Sequence, residues 1–433
     1  MNKCIVAISH SNYLYRNAGT EKCMREISNI LRGVGIHYLQ IFSFEDNSRL
    51  NLLCNMTNKV GVNLDDKFIG IFKYDSLPQV MKRLENTDNL EYIGVHIHNL
   101  LNHNYDMLLD FLNLIDLPVI LWLHDYTSVC PESPILLKNR VECCKNFVRS
   151  RDVCQNCCYY EKAKISQKKI RDFYFCIDDK IETIIAPSDN VKQNILISYP
   201  NWDNRIQIRG HLKLWNMRNS KKMSVPLRIA YAGGAFEHKG ISEWTRILEI
   251  FQDNPNYEFY YLGMSNLTTL KVKNVFVNSS VQGDKAMSVA AINNKIDVAF
   301  LWSKCQETYS YTYYEMRCSG ARILTYFDSG NIAQCVKKEK SGLIFNDVEE
   351  LINLMRNPIE FRMLLEACDG GYCTNYETND EIALLVPCGK CNLPHNISVS
   401  RIHRYWLLSN IHQCCNMIKS FRERKRVDAN KNN

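Results

Sequence analysis

The sequence predicts an α/β protein built from two Rossmann-like domains, and three observations lead to this class. The chain has 433 residues, which is too long for one ordinary hydrophobic core and suits two domains of roughly 200 residues each. Short runs rich in β-branched residues alternate with amphipathic helical stretches, the pattern of a parallel sheet covered by helices. This alternation breaks once, near residue 212, and then starts again.

The composition is that of a folded globular protein. Hydrophobic residues make up 46% of the chain and charged residues 23%, close to the usual averages. No stretch approaches the roughly 18 consecutive apolar residues of a membrane-spanning helix. The apolar run Cys4–Ile8 predicts a buried first strand and is too short for the core of a signal peptide. The sequence therefore predicts a soluble protein of the cytoplasm.

The net charge of +7 is modest, and much of it lies near the C-terminus. Five basic residues stand there with one glutamate between them: Lys419, Arg422, Arg424, Lys425 and Arg426. Nucleic-acid binding usually needs a larger basic excess with interleaved aromatic residues, so we expect no nucleic-acid partner. The basic tail suits peripheral contact with an anionic membrane surface, at its inner face. A solvated tail without a partner is the alternative.

The first alternating series predicts an N-terminal Rossmann-like domain over residues 1–212. Between its first two strands, residues 21–34 have apolar side chains at helical spacing, and the glycines Gly33 and Gly35 mark the end of this helix. The predicted strands are residues 3–8, 37–42, 92–97, 119–123 and 183–186.

The polar and basic segment 213–226 ends in proline and predicts an interdomain linker. A second Rossmann-like domain follows over residues 227–398, and residues 399–433 predict a helix that packs back on the body, with a basic tail. The predicted strands of the second domain are residues 227–232, 259–262, 275–277, 298–301 and 321–326.

Two glutamates in the second half carry the strongest chemical pattern. Glu307 and Glu315 are separated by seven residues, after the strand 298–301 and at the entry to a short helix predicted over residues 316–319. In an open α/β sheet, ligands bind at the carboxyl ends of the strands, and the amides of a helix start favour a phosphate. Glu315 could accept hydrogen bonds from ribose hydroxyls, and Glu307 could face a sugar.

This segment resembles the Glu–seven residues–Glu signature of retaining glycosyltransferases of the GT-B fold, specifically family 4 (glycosyl transferases group 1). The later segments Asp328–Asn331 and Lys340–Phe345 are similar to that family's Gly-rich turn and following strand. The resemblance covers roughly residues 3–350. It implies two Rossmann-like domains facing a cleft, with Glu307 at the donor sugar and Ser310, Tyr311 and Glu315 at the rest of the donor.

Three further positions match the family's motifs, with two departures. Lys239 is similar to the lysine that binds the donor diphosphate, but Gly234 stands where the family has an arginine. Gly19 follows the first strand and resembles one glycine of the family's Gly-Gly-x-Glu turn, with Ala18 in place of the other. His124 ends a strand at the position that faces the donor sugar in the family. His96 and His98 alternate in direction, so one of them points to the cleft.

Nineteen cysteines are present, and six lie within residues 130–158. Cys154 and Cys157 form a Cys-x-x-Cys pair, and with Cys130 and Cys143 they have the spacing of a tetrahedral zinc site. Similar transferases often carry cysteines at this point, which implies a structural zinc on a long loop. Reduced, packed thiols or redox chemistry are the alternatives.

The resemblance implies a hexosyltransferase without a catalytic metal. It would move a sugar, with retention of anomeric configuration, from a nucleotide-sugar to a glycan or lipid-linked acceptor in cell-surface polysaccharide biosynthesis. Two alternatives remain open. One is a sugar-nucleotide epimerase of the same fold. The other is a non-catalytic nucleotide-sugar-binding protein, which the missing arginine at Gly234 and the replaced glycine at Ala18 would suit.

Overall fold

A computed structural model provides the structure of the chain. It describes all residues except 17, 45–55, 133–136, 139–141, 144–159, 219–221, 268–270, 369–371, 384, 392, 395–396, 398–401, 403 and 432–433. The described residues form two α/β domains with a cleft between them, as the sequence predicts.

The N-terminal domain is built on a sheet of eight strands in the order β10-β9-β6-β5-β1-β2-β3-β4. The first six in this order run parallel, and β3 and β4 form an antiparallel hairpin at one edge. A separate short hairpin is formed by β7 and β8. The strands are β1 Asn2–Ser9, β2 His37–Phe42, β3 Lys59–Leu64, β4 Lys67–Lys73, β5 Leu90–Ile97, β6 Val119–Trp122, β7 Leu137–Lys138, β8 Glu142–Cys143, β9 Ile181–Ala186 and β10 Ile206–Ile208.

Helices cover both faces of this sheet, which explains why its central strands are apolar throughout. In β1 the side chains from Cys4 to Ile8 are all fully buried, because a parallel strand inside a doubly covered sheet meets apolar neighbours on each side. The helices are α1 Gly19–Gly33, α2 Leu77–Asp88, α3 Tyr105–Ile115, α4 Tyr160–Cys176 and α5 Asp189–Ser198.

The C-terminal domain has a sheet of six parallel strands in the order β14-β13-β12-β15-β16-β17. Its strands are β12 Leu227–Ala232, β13 Tyr257–Gly263, β14 Lys273–Phe276, β15 Val298–Phe300, β16 Arg322–Tyr326 and β17 Gly342–Phe345. Its helices are α6 Ile241–Phe251, α7 Ser279–Gln282, α8 Ala286–Asn293, α9 Tyr311–Arg317, α10 Asn331–Glu339, α11 Val348–Met355 and α12 Pro358–Ala367.

The chain crosses between the domains through a two-stranded antiparallel ribbon. Strand β11, Leu212–Arg218, overlaps the first part of the segment 213–226 that the sequence predicts as a linker, and it pairs with β18, Tyr372–Thr378. The ribbon is followed by the short helix α13, Asp380–Ala383. Because β18 follows the C-terminal domain and β11 follows the N-terminal domain, their pairing ties the two crossings together.

After this ribbon the chain lies on the N-terminal domain, although the sequence assigns residues up to 398 to the C-terminal domain. The amide of Gly389 donates to the carbonyl of Ile93 at 2.7 Å, and that of Cys391 donates to Tyr92 at 3.3 Å. These hydrogen bonds pair the segment with the backbone of β5. The ring of Pro387 packs against Gly94 of this strand, where a Cβ would collide with it.

The last helix, α14 Trp406–Lys431, packs back on the body as predicted and extends through the basic tail. Its first turns lie against β4. The Ser409 hydroxyl accepts from the amide of Ile71 at 3.0 Å, and His412 packs among the rings of Phe42, Phe44 and Phe68. Within the described residues, no helix has the length and apolar character needed to cross a membrane.

Candidate functional site

Two adjoining cavities lie in the cleft, at the carboxyl ends of the C-terminal domain's strands. The first has a volume of about 420 Å³ and is lined by Gly19, His124, His211, Lys239 and Glu307, among others. The second has a volume of about 460 Å³ and is lined by Lys22, Gly233, Gly234, Tyr261 and Glu315, among others. Four residues border both cavities: Ala18, Gly19, Tyr311 and Thr312. The two glutamates therefore belong to neighbouring compartments of one cleft.

Glu307 is held by a cation and two further donors. Its Oε1 atom accepts from Lys239 Nζ, and from the Ser303 hydroxyl at 2.7 Å. The thiol of Cys305 lies 3.6 Å from the same oxygen. Burial alone would raise the pKa of Glu307, but the charge of Lys239 and these hydrogen bonds outweigh it and lower the pKa. The side chain is thus a carboxylate at neutral pH.

The ion pair also acts on Lys239. Burial lowers the pKa of this amine, but the nearby Glu307 carboxylate raises it above its ordinary value overall. Gly240 follows Lys239 directly and has φ +81°. Because it has no Cβ, its backbone can pack against the Trp302 carbonyl. The sequence-predicted diphosphate lysine and the predicted sugar glutamate are therefore in direct contact.

The backbone of Glu307 is packed against Gly330, at the turn before α10. The carbonyl of Glu307 accepts from the amide of Asn331 at 2.8 Å. Gly330 has φ +60°, and a Cβ on it would lie 2.5 Å from the Glu307 nitrogen and 2.6 Å from its oxygen. Any side chain at residue 330 would displace the loop that carries Glu307.

Gly330→Ala should therefore damage the site more than it damages the fold. A non-glycine residue at positive φ costs of order 1–2 kcal/mol by itself, and here the collision with Glu307 adds to that. The matched control is Gly283→Ala, because Gly283 has φ +89° with no atom within 4 Å of the added Cβ. We expect both variants to have a lower Tm, Gly330→Ala by more because of the added collision, and ligand binding in the cleft to fall only in Gly330→Ala. Equal binding by the two variants would contradict this.

Glu315 is paired with a lysine from the other domain. Lys22 Nζ lies 3.6 Å from Glu315 Oε1, and both side chains are about 10% exposed. The ammonium group also stands 4.5 Å from the centre of the Tyr311 ring. Burial raises the pKa of Glu315, Lys22 lowers it, and the charge of Asp284 adds a further increase, so the pKa stays above its ordinary value.

Ser310 and Tyr311 begin helix α9, which starts five residues before the predicted helix at 316. The Ser310 hydroxyl accepts from the amide of Tyr313 at 3.2 Å, so this side chain caps the helix. The Tyr311 ring is stacked on His211 at a centroid distance of 5.7 Å. Both residues line the first cavity, but their side chains already have these partners within the protein.

His124 is buried at the wall of the first cavity and is bonded to a second histidine. Its Nε2 atom lies 2.8 Å from His98 Nδ1, and His98 Nε2 lies 2.6 Å from the Tyr38 hydroxyl. Burial lowers the pKa of both histidines well below the ordinary value, and neighbouring histidines lower it further. His124 and His98 are therefore neutral at pH 7. Of the pair His96 and His98, it is His98 that faces His124.

The glycines of the cleft differ in what they permit. Gly19 begins α1, and a Cβ there would lie 3.8 Å from the Tyr311 ring, an ordinary contact. Gly234, where the resemblance expects an arginine, lies under the ring of Phe236, 2.3 Å from an added Cβ. In this structure the ring of Phe236 occupies the space that the stem of an arginine at residue 234 would need.

The loop 306–311 also joins the two domains. The Thr308 hydroxyl donates to the carbonyl of His124 at 2.6 Å, and the Ser188 hydroxyl donates to the carbonyl of Thr308 at 2.9 Å. The amide of Leu212 donates to the Tyr309 hydroxyl at 3.0 Å. The loop that carries Glu307 is therefore positioned by groups from both sides of the cleft.

One set of side chains has the composition of a metal site. Ligand atoms of Cys23, His124 and His211 lie within 4.8 Å of one another, and all three residues are buried.

The predicted cysteine cluster is a different group. Cys130 is buried and is not in a disulfide, whereas the side chain of Cys143 and all of Cys154 and Cys157 lie outside the described residues. The structural zinc there stays a prediction.

Sequence reasoning missed Lys22, His211 and Tyr38 as members of the site. Lys22 follows the predicted Gly19 turn directly, so its place in the first turn of a cleft-facing helix was a usable signal. His211 ends the N-terminal domain beside the crossing to β11. Nothing local distinguishes Tyr38, because its partner His98 is sixty residues away in the chain.

No family model matches the chain, and no curated protein matches it. Its structure is similar to that of sucrose-phosphate synthase from Thermosynechococcus elongatus, at 12% identity and a TM-score of 0.51, over 96% of this chain and 99% of that one. It is also similar to WaaG, a glycosyltransferase involved in lipopolysaccharide biosynthesis, at 10% identity and a TM-score of 0.50, over 84% of this chain and 93% of that one. At these identities the likeness concerns the fold, which is GT-B.

Proposed function

We propose that the chain is a glycosyltransferase that moves a sugar from a nucleotide-sugar donor to a glycan or lipid-linked acceptor, with retention of anomeric configuration. The observation that carries the proposal is the division of Glu307 and Glu315 between two adjoining cavities of one cleft. Each carboxylate is held by a lysine, Lys239 or Lys22. A donor with a sugar at one end and a nucleoside at the other fits this arrangement.

In this proposal the nucleoside lies in the second cavity, with its ribose at Glu315, and the sugar lies in the first cavity, near Glu307 and His124. Lys239, at the first cavity, would hold the diphosphate between them. Fixed charges and hydrogen-bond donors of this kind stabilise the charge that develops as the sugar–phosphate bond breaks. His124 is neutral, so it would act as a hydrogen-bonding group. The proposed acceptor enters from the N-terminal domain.

A screen of nucleotide-sugars tests the proposal. A ligand that binds only the folded state raises the melting temperature, by an amount that grows with its concentration over Kd. We expect one nucleotide-sugar to raise Tm and to be consumed when a suitable acceptor is present, and NMR of the product to show the donor's anomeric configuration. Failure of every nucleotide-sugar to bind would overturn the proposal. An inverted product would overturn retention alone.

The exposed half of α14 supports a membrane-borne acceptor. Met417, Ile418 and Phe421 are 68%, 52% and 59% exposed, and Lys425 stands 5.0 Å from the centre of the Phe421 ring. An apolar helix face bordered by basic residues suits the interface of an anionic bilayer, where apolar burial and charge attraction act together. We propose an anionic membrane surface as the occupant of this face.

Replacing Met417, Ile418 and Phe421 together with serine should weaken binding to vesicles of anionic lipid at least about tenfold. Full burial of a single large apolar side chain contributes about 1.5–3 kcal/mol, and about 1.4 kcal/mol corresponds to a tenfold change in affinity. Donor hydrolysis in solution should be unchanged. The matched control places serine at Ile359, Met363 and Leu364, an exposed apolar trio on α12. Vesicle sedimentation measures both variants. The proposal would be contradicted if both variants lost vesicle binding equally. It would also be contradicted if the unaltered protein bound neutral and anionic vesicles equally well.

A further inference from the structure

A chain of three side chains leads from the interior of the N-terminal sheet to the first cavity. The Tyr38 hydroxyl lies 2.6 Å from His98 Nε2, and His98 Nδ1 lies 2.8 Å from His124 Nε2. Tyr38 is fully buried, His98 is 2% exposed and His124 is 8% exposed. His124 lines the cavity. Because its Nε2 atom is engaged by His98, Nδ1 is the nitrogen available to a molecule in the cavity.

The protons of this chain can be arranged in two directions. Each neutral imidazole carries one N–H donor and one acceptor nitrogen. In one direction, Tyr38 donates to His98, and His98 donates to His124. In the other, His124 donates to His98, and His98 donates to the Tyr38 oxygen.

The surroundings of Tyr38 decide between the two directions. Among the residues that the structure describes, His98 is the one hydrogen-bond partner of the Tyr38 hydroxyl. In the second direction its O–H would be a buried donor without an acceptor, which costs about 1–3 kcal/mol. In the first direction both hydrogen bonds are made, the Tyr38 hydroxyl has its acceptor, and the remaining N–H of the three side chains is on His124, which lines the cavity. Tyr38 therefore donates, His98 carries its proton on Nδ1, and His124 Nε2 accepts.

We propose that Tyr38 and His98 are positioning residues that fix His124 in the tautomer with its proton on Nδ1. His124 then presents an N–H donor to the first cavity. This inference rests on the proposed function, in which the sugar and diphosphate oxygens are the acceptors. A group with this tautomer donates to a sugar hydroxyl or a phosphate oxygen and cannot act as a general base through Nδ1.

The same tautomer bears on the cluster of Cys23, His124 and His211. A metal ion binds an imidazole nitrogen that has a free lone pair. In His124 the lone pair of Nε2 accepts from His98, and Nδ1 carries the proton. If His124 bound a metal ion, the two hydrogen bonds would have to run in the opposite direction. The Tyr38 hydroxyl would then have no acceptor.

NMR with histidine-selective ¹⁵N labelling tests the tautomer directly, with the His124 signals assigned from the variant His124→Asn. We expect a protonated Nδ1 and an unprotonated Nε2 at pH 7. Tyr38→Phe removes the donor that sets the direction, so both tautomers should appear in comparable amounts. A wild-type His124 with its proton on Nε2, or one with metal-shifted signals after addition of Zn²⁺, would overturn the inference.

Kinetics separates positioning from a structural role. An equal mixture of tautomers should lower kcat about twofold in Tyr38→Phe, with little change in KM. His98→Leu should lower kcat about tenfold, since it removes one hydrogen bond to His124. His98→Gln should restore most of the rate and the wild-type tautomer, because an amide can accept from Tyr38 and donate to His124.

Tyr92→Phe is the matched control. Tyr92 is also buried, and its hydroxyl donates to the carbonyl of Met81 at 2.9 Å, away from the cleft. It should lower Tm about as much as Tyr38→Phe and leave kcat and the His124 signals unchanged. If Tyr38→Phe behaved like Tyr92→Phe in the NMR experiment, the inference would be wrong even where transfer activity is present. If no transfer is found, the tautomer is still measured, so the two failures are distinct.

Discussion

Glu307→Gln should lower kcat for sugar transfer about a hundredfold, with a smaller change in the donor KM. The carboxylate of Glu307 is buried in the first cavity and keeps its negative charge there, because Lys239 and Ser303 lower its pKa. Positive charge develops on the sugar as its bond to the leaving phosphate breaks, so the carboxylate acts mainly in the transition state. Charge-assisted hydrogen bonds contribute about 1.5–3 kcal/mol, which corresponds to roughly 10- to 150-fold in rate.

The substitution also leaves Lys239 without its carboxylate, and a double-mutant cycle separates this effect. If Glu307 acted only by holding Lys239, then Glu307→Gln combined with Lys239→Met would be no slower than Lys239→Met alone. We expect it to be slower. Glu237→Gln is the matched control, since Glu237 lies in the same turn as Lys239, is exposed and accepts from the Ser242 hydroxyl. Wild-type kcat in Glu307→Gln would remove Glu307 from the proposed sugar site.

The sequence predicts the central strands well, because each is a short apolar run between polar turns. Residues 3–8, 37–42 and 227–232 are all in strands, and burial on both faces of a sheet produces that pattern directly. The hairpin of β3 and β4 was missed. Its turn at Asp65 has φ +49°, but an Asp-Asp pair is a weaker turn signal than Asn-Gly or Asp-Gly.

The residues of the candidate site were also predicted only in part from the sequence. Glu307, Lys239 and His124 lie in short motifs that resemble those of a known family, and the structure brings them to one cavity. Lys22 and Tyr38 act through partners in distant segments, Glu315 and His98. Such pairs depend on how the domains and sheets come together, and no local spacing encodes them.

Glu315→Gln should raise the donor KM tenfold or more and change kcat less. Glu315 faces the second cavity, where we propose that it accepts from the ribose hydroxyls. The ribose is held alike in the ground and transition states, so the loss of a charge-assisted bond appears mainly in binding. The variant Glu349→Gln serves as control, because Glu349 forms an exposed ion pair with Arg246 away from the cleft. Circular dichroism checks folding, since Lys22 loses its partner in Glu315→Gln.

The pH dependence of donor binding gives the same prediction a second measurement. Burial and the charge of Asp284 raise the pKa of Glu315, and Lys22 offsets part of that increase. A raised pKa means that the carboxylate is protonated at a higher pH than usual, so donor affinity should weaken as the pH falls through that value. Lys22→Met removes the offset and should move this acid limb to higher pH, whereas Glu315→Gln should abolish it. An acid limb that persists unchanged in Glu315→Gln would assign it to another group and remove Glu315 from the ribose site.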